Sequence, residues 1–166
     1  MTSMQPAAQT DTPADDAAVA AALGRVPSGL FVVAWREGDA DRCMLASWVM
    51  QAGFTPPQVS VAVATSRTLL GAIDRGAGFT VSVRAESQRS LLARFGKPDP
   101  DPFAGLEVVR TAGGAAALAD AAAWLDCRPT ARASAGDHVV VLAEVRAAGG
   151  TGFEPAIHLR KNGLRY

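Results

Sequence analysis

A run of small and polar side chains ends one predicted strand and could receive a flat ligand. The run reads MLASWVMQAGF at residues 44–54 and leads into Pro56-Pro57. Small side chains let a planar ring approach the backbone, and Ser47 and Gln51 can hydrogen-bond a polar ring edge. A core strand entering a proline-terminated turn explains the same residues, so both interpretations stay open at this point.

A second candidate is the segment ATSRT at residues 64–68, which precedes a predicted helix. The hydroxyls of Thr65, Ser66 and Thr68, the Arg67 guanidinium and the free amides of a helix N-terminus together predict a phosphate-binding segment. A plain capping sequence followed by a surface arginine is the alternative interpretation. Under either interpretation, Ser66 is predicted to be the N-cap of the helix.

The third candidate is His138, in the Gly136-Asp137-His138 start of a long predicted strand. A histidine there could face a pocket, although an isolated histidine at a strand end is also commonly an exposed or hydrogen-bonded structural residue. The basic C-terminal segment HLRKNGLRY contains the only tyrosine, Tyr166, and a solvated tail would explain it equally well.

Several common catalytic motifs are absent. The sequence lacks GxGxxG after a strand, GxxxxGK[ST], HExxH and GxSxG. Its two cysteines, Cys43 and Cys127, form no CxxC pair, and its two histidines do not lie near them at ligand spacing. We therefore expect no metal site, and any activity must depend on other chemistry.

Length and charge restrict the class of protein. The 166 residues suit one domain. Lys+Arg 16 against Asp+Glu 16 gives a formal net charge of +0, which disfavours nucleic acid and anionic membranes as partners. No apolar run approaches the ~20 residues that span a bilayer. The first residues also lack the features of a secretory signal, so we expect a cytoplasmic protein. The many alanines and the excess of arginine over lysine suggest a bacterial genome rich in GC.

The candidate segments must be positioned by a largely β architecture. Residues 1–14 predict a disordered tail and residues 15–166 one domain. Within it the pattern predicts a first short helix ending at Leu23, a second after Ser66 and a third within residues 87–95. Residues 115–125 predict a turn or helix passing into a strand. The predicted strands are 30–36, 43–50, 58–64, 79–83, a strand starting within 124–131, 137–145 and a weak strand at 156–159. Hairpin-length connections link most of them, which favours an antiparallel barrel or sandwich.

Taken together, the segments resemble the flavin reductase-like family of FMN-binding split-barrel proteins, from about Leu23 to Tyr166. The residues that carry the resemblance are RVPSGLFVV at 25–33, MLASWVMQAGF with Pro56-Pro57, FTVSV at 79–83, Phe95-Gly96, LDC at 125–127, GDH at 136–138 and AEV at 143–145. MLASWVMQAGF and HLRKNGLRY are also similar to the flavin reductase module of some flavodiiron proteins. The resemblance implies a mainly β fold, an antiparallel Greek-key split β-barrel with short flanking helices.

The resemblance also implies a homodimer with FMN, or less commonly FAD, bound non-covalently near the subunit interface. The cofactor-binding residues it implies are Leu45, Ala46, Ser47, Trp48, Gln51, Ala52, Gly53, Thr65, Ser66, Arg67, Thr68, Ser82 and Phe95. Related proteins often carry asparagine at the position of Ser82 and threonine at that of Leu45. His138 matches a histidine beside the nicotinamide site of relatives.

The activity implied is an NAD(P)H:flavin oxidoreductase, in which a hydride passes from the nicotinamide C4 to the flavin N5. Such an enzyme needs no catalytic triad, because the cofactor performs the chemistry while the protein positions two rings. The partner receiving the reduced flavin or its electrons would be a monooxygenase or an electron-transfer protein. Two other hypotheses remain: a flavin-binding electron carrier without reductase activity, and a binding protein on the same barrel that has lost its flavin site.

Overall fold

The computed structural model describes residues 15–161, and the predicted tail at 1–14 and the C-terminal residues 162–166 lie outside them. Three short helices and eleven strands form this part of the chain. The helices are α1 (Asp16–Leu23), α2 (Thr68–Asp74) and α3 (Leu91–Phe95). The strands are β1 (Ser28–Gly29), β2 (Phe31–Glu37), β3 (Ala40–Ala46), β4 (Val49–Phe54), β5 (Pro57–Ala64), β6 (Phe79–Val83), β7 (Val108–Arg110), β8 (Ala116–Leu118), β9 (Ala123–Ala135), β10 (His138–Gly149) and β11 (Ile157–His158).

The chain divides into two compact units. The larger one is Ser28–His158, and the described part of the smaller one is residues 15–27 and 159–161. In the smaller unit the Asp15 carboxylate accepts a hydrogen bond from the Ala17 amide and caps α1. None of the helices within residues 15–161 has the length and apolar character that a membrane crossing requires.

A seven-stranded antiparallel sheet dominates the larger unit, with the strand order β3-β2-β6-β9-β10-β5-β4. Several neighbours are distant in sequence, as in β2 with β6 and β10 with β5. The two edge strands, β3 and β4, are consecutive in the chain and are joined by only two residues, 47–48. Because so short a connection keeps the edges close together, the sheet must curl until they meet. The predicted mainly β, antiparallel architecture with short helices is confirmed.

The interior of the curled sheet holds the first hydrophobic cluster. Strand β5 contributes Val59, Val61 and Val63, which are buried and alternate with partly exposed residues as the period-2 pattern predicts. Leu69 and Ala72 of α2 belong to the same cluster. The sequence therefore predicted both the strand and the direction of its apolar side chains.

A second hydrophobic cluster lies on the opposite face of β2 and β6. There the β7–β8 hairpin covers the sheet, and α3 contributes Phe95. The Thr80 hydroxyl donates to the carbonyl oxygen of Ala116, and the Leu118 amide donates to the Ser82 hydroxyl at 3.0 Å. These two buried hydrogen bonds attach the hairpin to β6.

Four local predictions differ from the structure. The strand predicted for residues 43–50 is interrupted by a bend at Ser47, so that β3 and β4 pair with different neighbours. The predicted serine cap of α2 is wrong, because Arg67 occupies the N-cap position. The third helix is confined to Leu91–Phe95. The alanine-rich segment contains strand β8 because its small side chains fit against the sheet, where burial outweighs helix propensity.

Candidate functional site

The two residues that join the edge strands begin the candidate site. Ser47 and Trp48 follow the end of β3, and the Ala62 amide of β5 donates to the Trp48 carbonyl oxygen at 3.0 Å. This hydrogen bond holds the junction against β5 just before β4 begins. The Trp48 side chain is 38% exposed, so an indole ring lies at the surface where the barrel closes.

The side chain of His138, the first residue of β10, contacts the Trp48 ring. Its ring centroid is 4.8 Å from that of Trp48, with the planes inclined by 50°. The His138 ring is buried, and its Nδ1 lies 2.7 Å from the Asp137 Oδ1. A carboxylate can only accept, so this contact places the proton on Nδ1 and orients the ring. This contact agrees with the interpretation of His138 as a hydrogen-bonded residue, and its interpretation as a pocket residue stays a prediction.

The segment Thr65–Thr68 lies immediately beside this pair. In the sheet Ala64 is the register partner of His138, and the Thr65 amide donates to the Asp137 carbonyl oxygen at 3.0 Å. The side chains of residues 65–68 are exposed. Within residues 15–161 no carboxylate pairs with Arg67 and no side-chain hydrogen bond caps α2. Three hydroxyls and a guanidinium are thus presented to solvent next to the Trp48–His138 pair.

Gln51, Ala52 and Gly53 occupy a different part of the same edge strand. All three are exposed on β4, and a β-bulge falls between Gln51 and Gly53. Their register partners on β5, Val59 and Gln58, lie toward the end of β5 that is remote from Ala64. These residues therefore extend along the edge of the sheet and do not pack against the Trp48–His138 pair.

Leu45, Ser82 and Phe95 lie with the second hydrophobic cluster. Leu45 packs against that cluster, and the buried Phe95 ring is 5.4 Å from the Phe103 ring. Ser82 is 1% exposed, and its hydroxyl already accepts the Leu118 amide. Ala46, next in the chain, packs instead against the first cluster. The structure thus brings Ser47, Trp48, Thr65–Thr68 and His138 together and places Ser82 beneath the β7–β8 hairpin.

Arg84 is a residue that the sequence interpretation missed. It is 6% exposed, its Nη1 donates to the Ala85 carbonyl oxygen at 3.2 Å, and its Nε has no partner. No carboxylate pairs with it in the described part of the chain. A charged group buried without a counter-ion is unfavourable in isolation, so an anion or polar ligand nearby would relieve it. The available signal was an arginine that directly continues the alternating strand FTVSV.

The ladder places Arg84 near the junction. Val83, Phe31 and Ala46 are register partners across β6, β2 and β3, and the Arg84 amide donates to the Leu30 carbonyl oxygen. The next row of the ladder therefore runs from Arg84 through Leu30 toward Ser47. Because side chains alternate along a strand, the Arg84 side chain leaves on the same face as that of Ser82.

Neither cysteine supplies a nucleophile. Burial raises the pKa of the Cys43 thiol to about 11 and that of the Cys127 thiol to about 12, with the charges of Asp99 and Asp126 adding to the respective effects. Both thiols therefore stay protonated at neutral pH. Across residues 15–161, no three His, Cys, Asp or Glu side chains come together in a group that could hold a metal ion.

Comparisons with known proteins agree on one family. A family model described as the flavin reductase like domain matches residues 23–162. Diflavin flavoprotein A 1 of Synechocystis sp. is 35% identical over 153 residues, a match covering 87% of this chain and 26% of that protein. This chain therefore spans about a quarter of the length of the curated relatives it matches.

Solved structures show the same architecture. The NADH:FAD oxidoreductase SgcE6 of Streptomyces globisporus superposes with a TM-score of 0.79 at 26% identity, over 93% of this chain and 95% of that one. The styrene monooxygenase flavin reductase of Pseudomonas putida S12 superposes with a TM-score of 0.73 at 24% identity, over 83% and 90% of the two chains. The curled sheet described above is thus an antiparallel split β-barrel.

Proposed function

The chain belongs to the flavin reductase-like domain family, and we propose that it is an NAD(P)H:flavin oxidoreductase that binds FMN non-covalently. In the proposed reaction, C4 of NADH or NADPH loses a hydride and N5 of the flavin accepts it. The convergence of the Trp48–His138 pair with the exposed hydroxyls and guanidinium of residues 65–68 carries this proposal. A flat ring and a phosphate both find complementary groups there.

The phosphate is assigned to residues 65–68. Their hydroxyls can donate to phosphate oxygens, and Arg67, which no carboxylate engages within residues 15–161, supplies a positive charge and several N–H donors. The hydrogen bond from the Thr65 amide to the Asp137 carbonyl holds this segment beside His138. Because this hydrogen bond already fixes the backbone that carries these groups, little conformational freedom is lost when an anion binds.

The isoalloxazine ring is assigned to the junction and its neighbours. Ser47 and Trp48 would contact the ring from the β3–β4 connection, together with Leu45 and Ala46 from the end of β3. We retain Gln51, Ala52, Gly53, Phe95 and Ser82 as cofactor-binding residues in this proposal. Ser82 would contribute through its backbone, since its hydroxyl is occupied by Leu118.

Arg84 adds an independent argument for a bound group with acceptor atoms. Its orphaned Nε is a buried donor, and its row of the ladder leads to Ser47. The N1, O2 and O4 atoms of the flavin pyrimidine ring are acceptors of the type that a guanidinium prefers. We assign Arg84 to that edge, where its charge would favour the electron-rich reduced form.

The chemistry of hydride acceptance belongs to the flavin, and this chain's residues bind, orient and shield. The Asp137 carboxylate holds the His138 ring through Nδ1, and the Trp48 indole covers one side of that ring. An imidazole held in this way can position the nicotinamide of the co-substrate without changing its own protonation. Orientation of two rings at contact distance is the main source of acceleration in such a reaction.

Substituting His138 tests its role beside the nicotinamide. We expect His138→Ala to raise the KM for NADH or slow hydride transfer while sparing FMN affinity, because the ring is assigned to the co-substrate. Stopped-flow measurement of flavin reduction checks this. His158→Ala, which removes the other histidine, from β11, is the matched control and should behave as wild type. Loss of FMN binding in His138→Ala would contradict the assignment.

The homodimer proposal rests on strand β4. Met50 is 69% exposed and Phe54 is 87% exposed on an edge strand that, among the described residues 15–161, pairs with β5 alone. An exposed edge with large apolar side chains favours a protein partner. We propose that a second copy of the chain covers it and that the flavin lies near that interface.

The relatives suggest what receives the electrons. The structural neighbour from Pseudomonas putida is named as the flavin reductase of a styrene monooxygenase. The Synechocystis relative is a diflavin flavoprotein of which this chain matches 26%. We propose a monooxygenase or an electron-transfer protein as partner, in the cytoplasm. The second relationship also favours a second candidate function, a flavin-bound electron carrier reduced by another protein.

One titration tests the proposal. We expect the purified chain to bind FMN, visible as a shifted flavin absorbance band, and the band to bleach when NADH or NADPH is added without oxygen. Sedimentation followed at the flavin wavelength should give twice the monomer mass of 17.1 kDa. Bound flavin that neither nucleotide reduces would replace the reductase with the electron carrier. A chain that binds no flavin would refute both.

A further inference from the structure

A cleft of about 410 Å³ opens away from the Trp48–His138 pair. Its walls come from the β7–β8 hairpin and from the outer face of β9 and β10. The lining residues are Val109, Arg110, Thr111, Ala112, Trp124, Asp126, Arg146 and Ala147. Ala147 lies nine residues along β10 from His138, about 30 Å of extended strand. The cleft is thus separate from the Trp48–His138 pair, and its volume suits a small molecule.

A buried carboxylate faces this cleft. Asp126 is 9% exposed and lines the cavity, yet no hydrogen bond or ion pair reaches its side chain from residues 15–161. In the ladder Asp126 is the register partner of Thr80, on the face that the β7–β8 hairpin covers. Within residues 15–161 the Asp126 oxygens are not among the fully enclosed side-chain atoms that lack a partner, so they are open to the cleft. The cleft therefore presents two acceptor atoms to which a ligand can donate.

A flat wall adjoins the carboxylate. Trp124 lies two residues before Asp126 on the same face of β9. A Cβ built on Gly149 would come 2.7 Å from the Trp124 Cζ2, so the indole ring packs directly on the backbone of β10. Packing of this kind leaves the ring little freedom to rotate. A planar aromatic ligand could stack against it at a small entropic cost.

A β-bulge brings a positive charge to the rim. Val145 pairs with Cys127 and Ala147 with Asp126, so Arg146 is the extra residue of the bulge. Bulges redirect side chains, and Arg146 contributes to the lining while half-exposed. Its Nη1 lies 3.3 Å from the Glu144 Oε1, which leaves its other donors for a ligand. Arg110 differs, because both carboxylate oxygens of Asp41 already engage it.

We propose that this cleft binds a planar heterocycle with two adjacent N–H donors on one edge and an anionic substituent. A carboxylate only accepts hydrogen bonds, so both Asp126 oxygens are matched by an edge made of donors alone. Guanine and pterins share such an edge, in a ring N–H beside an amino group. The adenine edge and the flavin pyrimidine edge mix donors with acceptors. The ring stacks on Trp124, and the anionic group reaches Arg146.

Calorimetry on the full chain, with and without saturating FMN, tests this proposal. The probes are GMP and pterin-6-carboxylate, with AMP as the control. We expect one or both of the first two to bind, AMP to bind at least tenfold more weakly, and the tighter probe to identify the source of the ring. Asp126→Asn should lower the affinity for that probe at least tenfold, because the asparagine amide replaces one acceptor oxygen with a donor. FMN affinity should stay unchanged, since Asp126 lies outside the proposed flavin site.

Arg146→Gln provides a second variant at a half-exposed position, should Asp126→Asn fold poorly. This substitution should weaken the binding of GMP but not that of guanosine, which lacks the phosphate. The proposal would be overturned if neither GMP nor pterin-6-carboxylate showed saturable binding. It would also be overturned if AMP bound equally well, or if Asp126→Asn bound the tighter probe with undiminished affinity. These outcomes are independent of the flavin proposal. A chain that does not bind FMN could still bind GMP, and a chain that does not bind GMP could still bind FMN.

Discussion

Replacing Arg67 by alanine is expected to weaken FMN binding by about 1.5–3 kcal/mol, because a charge-assisted hydrogen bond to the phosphate is lost. At about 1.4 kcal/mol per factor of ten, this is a loss of about 10- to 150-fold in affinity. The effect is large because no carboxylate within residues 15–161 competes for this guanidinium. A rising salt concentration should reduce the wild-type affinity more than that of the variant, since the lost contact is electrostatic.

Equilibrium titration of FMN measures this loss, and two controls isolate the phosphate. Riboflavin lacks the phosphate and should bind Arg67→Ala as it binds wild type. Arg75→Ala removes a guanidinium after the other end of α2, where Arg75 already pairs with Glu37, and should leave FMN affinity unchanged. An unaltered dissociation constant for Arg67→Ala would remove this residue from the site.

Replacing Arg84 by methionine is expected to make the flavin-free chain more stable and at the same time weaken its hold on FMN. The buried guanidinium has an unpartnered Nε and no counter-ion among the described residues. An apolar side chain of similar length removes that desolvation cost but loses the hydrogen bond to the Ala85 carbonyl. Setting a gain of about 1–3 kcal/mol against a loss of about 1 kcal/mol leaves a net rise of up to about 2 kcal/mol in the unfolding free energy.

Denaturant unfolding without flavin, followed by FMN titration, measures both effects. Arg89→Met is the matched control, because Arg89 is exposed and pairs only with Glu86, so neither quantity should change. The midpoint potential of bound FMN should also fall in Arg84→Met, since a positive charge beside the ring favours the reduced state. A less stable variant with unchanged FMN affinity and potential would show that Arg84 serves packing alone.

The parts of the fold that local pattern determines could be predicted from the sequence. The alternation of Val59, Val61 and Val63 predicted β5 and its buried face. The hairpin-length connection between the predicted strands 30–36 and 43–50 predicted the β2–β3 hairpin, whose turn has Gly38 at a φ of +60°. The strand and helix boundaries that tertiary contacts determine could not be predicted from the sequence. Strand β8 was obscured because its alanines have a high helix propensity, which only the burial of this strand against the sheet overrides.

Some of the functional residues could likewise be predicted from the sequence, and others could not. Residues 65–68 and His138 were identifiable because hydroxyls, a guanidinium and an imidazole have recognisable chemistry. Arg84 and Asp126 were not, because the significance of Arg84 comes from burial without a partner for its Nε, and that of Asp126 from its place in the lining of a cleft, and both are properties of the folded chain. Likewise, nothing in MLASWVMQAGF predicts that Trp48 meets the His138 ring, since the contact joins residues 90 positions apart.

The two-residue connection between Ala46 and Val49 leaves little tolerance for changes in its length. One residue added there would shift the phase of β4 against β5 and exchange its inward and outward side chains, unless a compensating bulge absorbed it. Elsewhere on a barrel, surface loops lengthen at a small cost in free energy. Variation of ligand preference at this opening is therefore confined to exchanging side chains such as Ser47 and Trp48.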